Sequence, residues 1–356
     1  MLTARENLLE CLKPDGKPDR FVNQYEFIKL LMNASVLHSK RPKEGEPDCK
    51  NAWGVMYSWP VGVPGGFPVH TPEHVVIKDI EHWQDYVHAP SLDFPDEEWE
   101  IFRKQYDAVD TTKAFKSAFV APGLFEQCHH LGEIANTLMN LALYEDEMHD
   151  LIKYLTEYEL KLAELICEKL EPDCLFHHDD WGGQNTTFMS VPMFEDFFVE
   201  PYQQIYGYYK AHGCQLVVHH SDSYAATFVP AMIDMGIDIW QGCFSTNNMP
   251  EMIKKYGGKI AFMGGIENML VDYDGWDRET VHNVVYKTLD ELGMKYFIPC
   301  IAQGGPGSVY AGVYKAMIEE IDQYNIEHFG FTQEQIEEQR LPMDIMFPGK
   351  PSSGKK

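Results

Sequence analysis

From residue 115 onward the chain alternates short apolar runs with longer amphipathic stretches. The runs that begin near 115, 173, 214, 237, 260 and 296 are bounded by turn residues and read as strands buried on both faces. Between them, apolar residues recur at helical spacing. They predict two helices over 130–170, one over 193–212 that Gly213 ends, and others near 223–235, 277–292 and 309–326. Upstream, Thr3 and Glu6 form a capping box ahead of Leu8, Leu9 and Leu12 on one helical face, and residues 21–26 read as the first strand. Repeated strand-then-helix units imply a parallel sheet. Seven strands are visible and residues 344–347 offer an eighth. The predicted class is therefore α/β, a (β/α)8 TIM barrel. No Gly-rich phosphate fingerprint follows the first strand, which disfavours an open doubly wound sheet.

The barrel reading assigns residues 1–347 to one domain, with an N-terminal helical and loop extension (1–20) and helices near 79–88 and 95–107. Residues 39–76 are rich in Gly and Pro and too long for a simple connection, so they read as cover for a site. Residues 348–356 read as a disordered tail. The net charge of −26, from 55 acidic against 29 basic residues, argues against binding to nucleic acid or to anionic membranes. Eight cysteines without a CxxC pair are not a disulfide scaffold. With no signal segment and no membrane-length apolar run, a reduced cytoplasmic protein is expected.

Barrel enzymes build their sites at the C-terminal strand ends. Those ends bring Tyr25 and Glu26, Glu126, the His177-His178-Asp179-Asp180-Trp181 run, His219, His220 and Asp222, Gln241 and Cys243, Glu267, and Cys300 with Gln303. Residues i and i+2 at a strand end share a side, so His220 and Asp222 can reach one ion. A catalytic zinc needs three protein ligands. Cys300 is the first choice for the third and Glu126 the second, although Cys300 also reads as a buried structural thiol. Four titratable groups from His177 to Asp180 mark a second functional cluster, against which stands a salt-bridged turn with Trp181 as core. Tyr25, Trp59 and Trp181 could wall a flat substrate, with Glu26 and Gln303 as polar contacts, though each aromatic also reads as core.

The Ala121-Pro122-Gly123 turn, Asp180-Trp181-Gly182, His220-Ser221-Asp222, the segment from Phe262 to Glu267 and Gln303-Gly304-Gly305 together resemble the uroporphyrinogen decarboxylase superfamily. Within it, the chain is similar to the corrinoid-protein methyltransferases, over residues 21–325. The resemblance implies a distorted (β/α)8 barrel. Gln24-Tyr25-Glu26-Phe27 stands where the decarboxylase has an arginine-rich stretch, which disfavours tetrapyrrole decarboxylation. Thiol-methylating relatives bind zinc through His-x-Cys and a later Cys, whereas this chain has Asp222 in the first Cys position. An oxygen ligand leaves zinc harder and suits an ether oxygen better than a thiol.

The implied activity is that of an O-demethylase methyltransferase component. A methyl group would move from a methoxylated aromatic compound to cob(I)alamin on a partner corrinoid protein, assisted by zinc or by an acid such as His178 or Asp180. Methyl transfer to a thiol, and a non-catalytic barrel that binds a small ligand, are the alternatives. The methyl donor, the metal and any homo-oligomer stay open at this level.

Overall fold

The computed structural model describes residues 1–63, 65–302 and 309–343. Its main sheet has seven strands: β1 (Ile28–Leu31), β5 (Phe115–Val120), β6 (Cys174–His178), β7 (Leu216–His220), β8 (Ile239–Cys243), β9 (Ala261–Ile266) and β10 (Phe297–Ile301). They run in that spatial order and every neighbouring pair is parallel. Apart from half-buried residues on β1, β5, β6 and β9, the strands are buried along their length, as parallel strands covered by helices must be. The fold is α/β and TIM-barrel-like. The candidate eighth strand at 344–347 and the tail at 348–356 lie outside the described residues.

The first strand differs from the expectation. Residues 21–26 do not enter the ladder; Gln24 has φ +49° and the chain turns before β1 begins at Ile28. This segment still joins the two ends of the sheet. Gln24 N–H donates to Pro299 O on β10 at 3.2 Å, and Phe115 N–H on β5 donates to Phe27 O at 2.7 Å.

The predicted N-terminal helix spans Ala4–Leu12, with Thr3 and Glu6 capping each other. The region read as two helices over 130–170 is three: Leu124–Gly132, Ile134–Leu143 and Glu145–Leu170. Glu133, at φ +70°, breaks the first pair, and its carboxylate caps the N–H groups of Ala135 and Asn136. The 193–212 helix is Val191–Phe194, a π-helical turn at Glu195–Val199 and Glu200–Ala211. The long Gly/Pro-rich loop carries a small antiparallel sheet of β2 (Cys49–Lys50), β3 (Met56–Ser58) and β4 (Phe67–Pro68). Tyr57 of β3 reaches His130 on helix Leu124–Gly132, so this sheet lies on that helix. No helix among the described residues is long and apolar enough to cross a membrane.

Candidate metal centre at the strand ends

Register builds the site. His178 on β6 pairs with His220 on β7, which pairs with Gln241 on β8, so three polar side chains stand in one row at the C-terminal strand ends. Parallel strands lie about 4.8 Å apart, which brings such neighbours into side-chain contact. The His178 and His220 rings stack at 4.3 Å between centroids, 21° from parallel. Strand alternation sends the adjacent residues the other way. His177 and His219 point outward to Tyr206, whose hydroxyl lies 3.2 and 2.8 Å from their Nδ1 atoms. Each His-His pair is thus one site histidine and one structural histidine.

Both site rings are oriented through Nδ1. His178 Nδ1 is 2.8 Å from Glu126 Oε2, and His220 Nδ1 donates to the side-chain Oε1 of Gln241. With Nδ1–H committed to an acceptor, Nε2 is the free donor atom, the arrangement by which an outer acceptor fixes a metal-binding tautomer. His220 Nε2 lies 3.9 Å from both Asp180 Oδ1 and Asp222 Oδ2. That gap is too long for a hydrogen bond, yet a zinc ion about 2.0–2.2 Å from each atom could span it. Asp180 is held in turn, since its Oδ1 accepts the Asp222 backbone N–H at 3.0 Å. His178, Asp180 and His220 each offer a ligand atom within 4.8 Å of the other two. The donor set of imidazole nitrogen and carboxylate oxygen fits zinc, with Asp222 beside it.

Electrostatics couples these groups. Burial opposes a charge on His178, but Glu126, followed by Asp180 and Asp222, holds its pKa up at about 10. Burial, and then His178, push His220 down to about 4, so His220 is neutral and free to ligate. Metal ligation by His178 displaces a proton.

The other predicted residues fall in several places. Cys300 is buried and is not in the donor group; its thiol contacts the Tyr25 hydroxyl instead. Burial raises the Cys300 thiol well above its ordinary pKa. Glu126 meets His178 rather than acting as a third ligand beside His220 and Asp222. Glu26 is no substrate contact, because Arg20 and Arg340 take its carboxylate in a buried ion cluster. Trp181 is fully buried and stacks on His219 at 3.9 Å, on the outward face with its Nε1–H given to Asp179. Trp59 stays within its loop, donating to Val63 O. Gln303 lies outside the described residues.

An aromatic cluster lies beside the imidazoles, and of the expected Tyr25, Trp59 and Trp181 it holds Tyr25 alone. Phe176, two residues before His178 on the same face of β6, sits 6.3 Å from Tyr25, 6.2 Å from His220 and 5.8 Å from its register partner Phe119. Strand alternation from His178 carries the signal for Phe176. Only the register reveals Phe119.

No family model and no curated protein matches the sequence. Among solved structures, the chain is similar to a methyltransferase from Methanosarcina mazei at TM-score 0.62 and 14% identity, over 91% of this chain and 99% of that one. It is also similar to a B12-independent methionine synthase from Shewanella sp. W3-18-1, in complex with selenomethionine, at TM-score 0.44 and 15% identity over 69% and 71%. The likeness to the Methanosarcina mazei protein supports the barrel-type fold and, at this identity, fixes no reaction.

Proposed function

We propose that this protein is a methyltransferase that removes the methyl group of a methoxylated aromatic compound and passes it to cob(I)alamin on a separate corrinoid protein. The observation that carries this reading is the pair of 3.9 Å gaps between His220 Nε2 and the Asp180 and Asp222 carboxylates, beside an aromatic wall. His178, Asp180 and His220 would hold zinc, with Asp222 beside them, and the open fourth position would let the ion act as a Lewis acid on the ether oxygen. Glu126 and Gln241 aim the two imidazoles. Phe119, Phe176 and Tyr25 offer aromatic contacts for the ring that bears the ether, with Tyr25 tilted 48° from Phe176. In transfer the O–CH3 bond would break with its electron pair left on the aryl oxygen as phenolate, and the new bond to the methyl carbon would be made by the electron pair of the partner's cob(I)alamin. The carboxylate-rich donor set favours an oxygen substrate over a thiol. Cys300, the extra ligand that thiol chemistry expects, is engaged with Tyr25.

The test is incubation with a reduced corrinoid protein and a panel of vanillate-like ethers, following cobalt methylation by absorbance. Turnover is expected with at least one methoxyarene. His220→Ala is expected to lower kcat by about 10²–10³-fold, the loss typical when the stabiliser of a developing anion is removed. Absence of methylation across the panel would overturn the reading.

A further inference from the structure

Helix Leu124–Gly132 carries Glu126, His129 and His130, at positions i, i+3 and i+4. That spacing stacks three side chains on one helical face. Each offers a ligand atom within 4.8 Å of the other two. The group is separate from the strand-end cluster but touches it, since Glu126 Oε2 is 2.8 Å from His178 Nδ1.

The two imidazoles are set differently from ordinary buried histidines. His130 Nδ1 faces the Tyr57 hydroxyl at 3.3 Å, and in the tautomer with its proton on Nδ1 the ring keeps the Nε2 lone pair for a metal. His129 Nδ1 is buried with no hydrogen-bond partner. A buried polar atom without a partner is uncommon in a native fold and calls for one that is missing. Burial, and then His70, push His129 down to about 4, and burial with His129 holds His130 well below the ordinary range.

We propose that Glu126, His129 and His130 form a second metal site, adjacent to the strand-end centre and suited to a borderline divalent ion such as Zn2+. Two imidazole nitrogens and one carboxylate oxygen are the donor set of many zinc sites with an open position. Because Glu126 also faces His178, an ion here would fix the carboxylate that orients a strand-end ligand. The site does not depend on the methyl-transfer reading.

Zinc binding separates the possibilities. The full-length protein, stripped by chelator and reloaded with Zn2+, is desalted and its bound zinc counted by mass spectrometry, for wild type, His129→Ala, His129→Gln and His220→Ala. Two equivalents are expected for wild type and one for each variant. Circular dichroism melts check folding, and His129→Gln keeps the test alive if the alanine variant does not fold. Retention of the full wild-type count by the His129 variants overturns the proposal, as does a wild type that binds no zinc. A single equivalent lost on His129 replacement but kept in His220→Ala supports this site and sinks the strand-end centre. The opposite pattern sinks this site and leaves the strand-end centre standing.

Discussion

At the residue scale, the site depends on acceptors behind its ligands as much as on the ligands. His220 presents Nε2 to Asp180 and Asp222 because its Nδ1–H is held by Gln241, a residue with no metal contact of its own. Gln241→Leu keeps the side-chain size and removes that acceptor. Zinc affinity is then expected to fall about 10–100-fold, the usual loss when a partner behind a metal-binding histidine goes. Competition against a chromophoric chelator measures it. The net effect on the fold is expected to be small, because leucine removes Gln241 Nε2, already buried without a partner, while it leaves the His220 Nδ1–H without an acceptor. An unchanged affinity would show that the Nδ1 contact does not set the ring.

At the element scale, one carboxylate positions the helix that carries Glu126. Asp179, just past β6, accepts the N–H groups of Phe125 at 3.0 Å and Glu126 at 2.7 Å, Trp181 Nε1–H at 2.9 Å and the Tyr202 hydroxyl. It thereby caps helix Leu124–Gly132 from another strand. Gly123 makes room for it: a Cβ there would lie 2.5 Å from Asp179 Cβ and 2.6 Å from the Tyr202 oxygen. Asp179→Ala leaves four donors without an acceptor and is expected to cost about 3 kcal/mol, combining a lost cap with buried unsatisfied groups. Urea unfolding measures it. This arrangement also marks how far the sequence could be read. The alternation of apolar runs and amphipathic stretches shows the strands from β5 to β10, and His-x-Asp spacing points to His220 and Asp222. Spacing within one strand cannot show that Asp179 serves a helix more than fifty residues earlier, nor that register aligns His178, His220 and Gln241. The segment 21–26 looks like a strand because its apolar residues are interrupted by polar ones. Its polar positions instead serve ion pairs and a tight turn, which only the tertiary fold reveals.

At the scale of the whole molecule, seven of the eight cysteines are buried and Cys49 alone is half-buried. Burial also pushes the Cys11 thiol up to about 11, which suppresses its reactive thiolate. An aromatic disulfide reagent at pH 8 is expected to titrate one thiol quickly in the native protein and eight after denaturation. Two or more fast thiols would mean that the barrel opens on the timescale of the assay. The sheet's two ends are further tied by charge. Arg340 makes a two-point contact with Asp322, at 2.9 and 2.6 Å, and also reaches Glu26 at 3.3 Å; Glu26 is shared with Arg20. This cluster links the segment before β1 to helix Val313–Phe329, and Asn23 joins it through Asp322 at 2.8 Å. Arg340→Met preserves much of the volume but leaves two buried carboxylates short of a cation. A loss of about 3–5 kcal/mol is expected, because breaking one side of a buried ion pair strands the other charge. Arg340→Lys restores the charge without the planar fork and should recover part of that loss. Urea unfolding of both variants decides it: equal stability of the methionine variant and wild type would mean that the cluster's ion pairing adds nothing to stability.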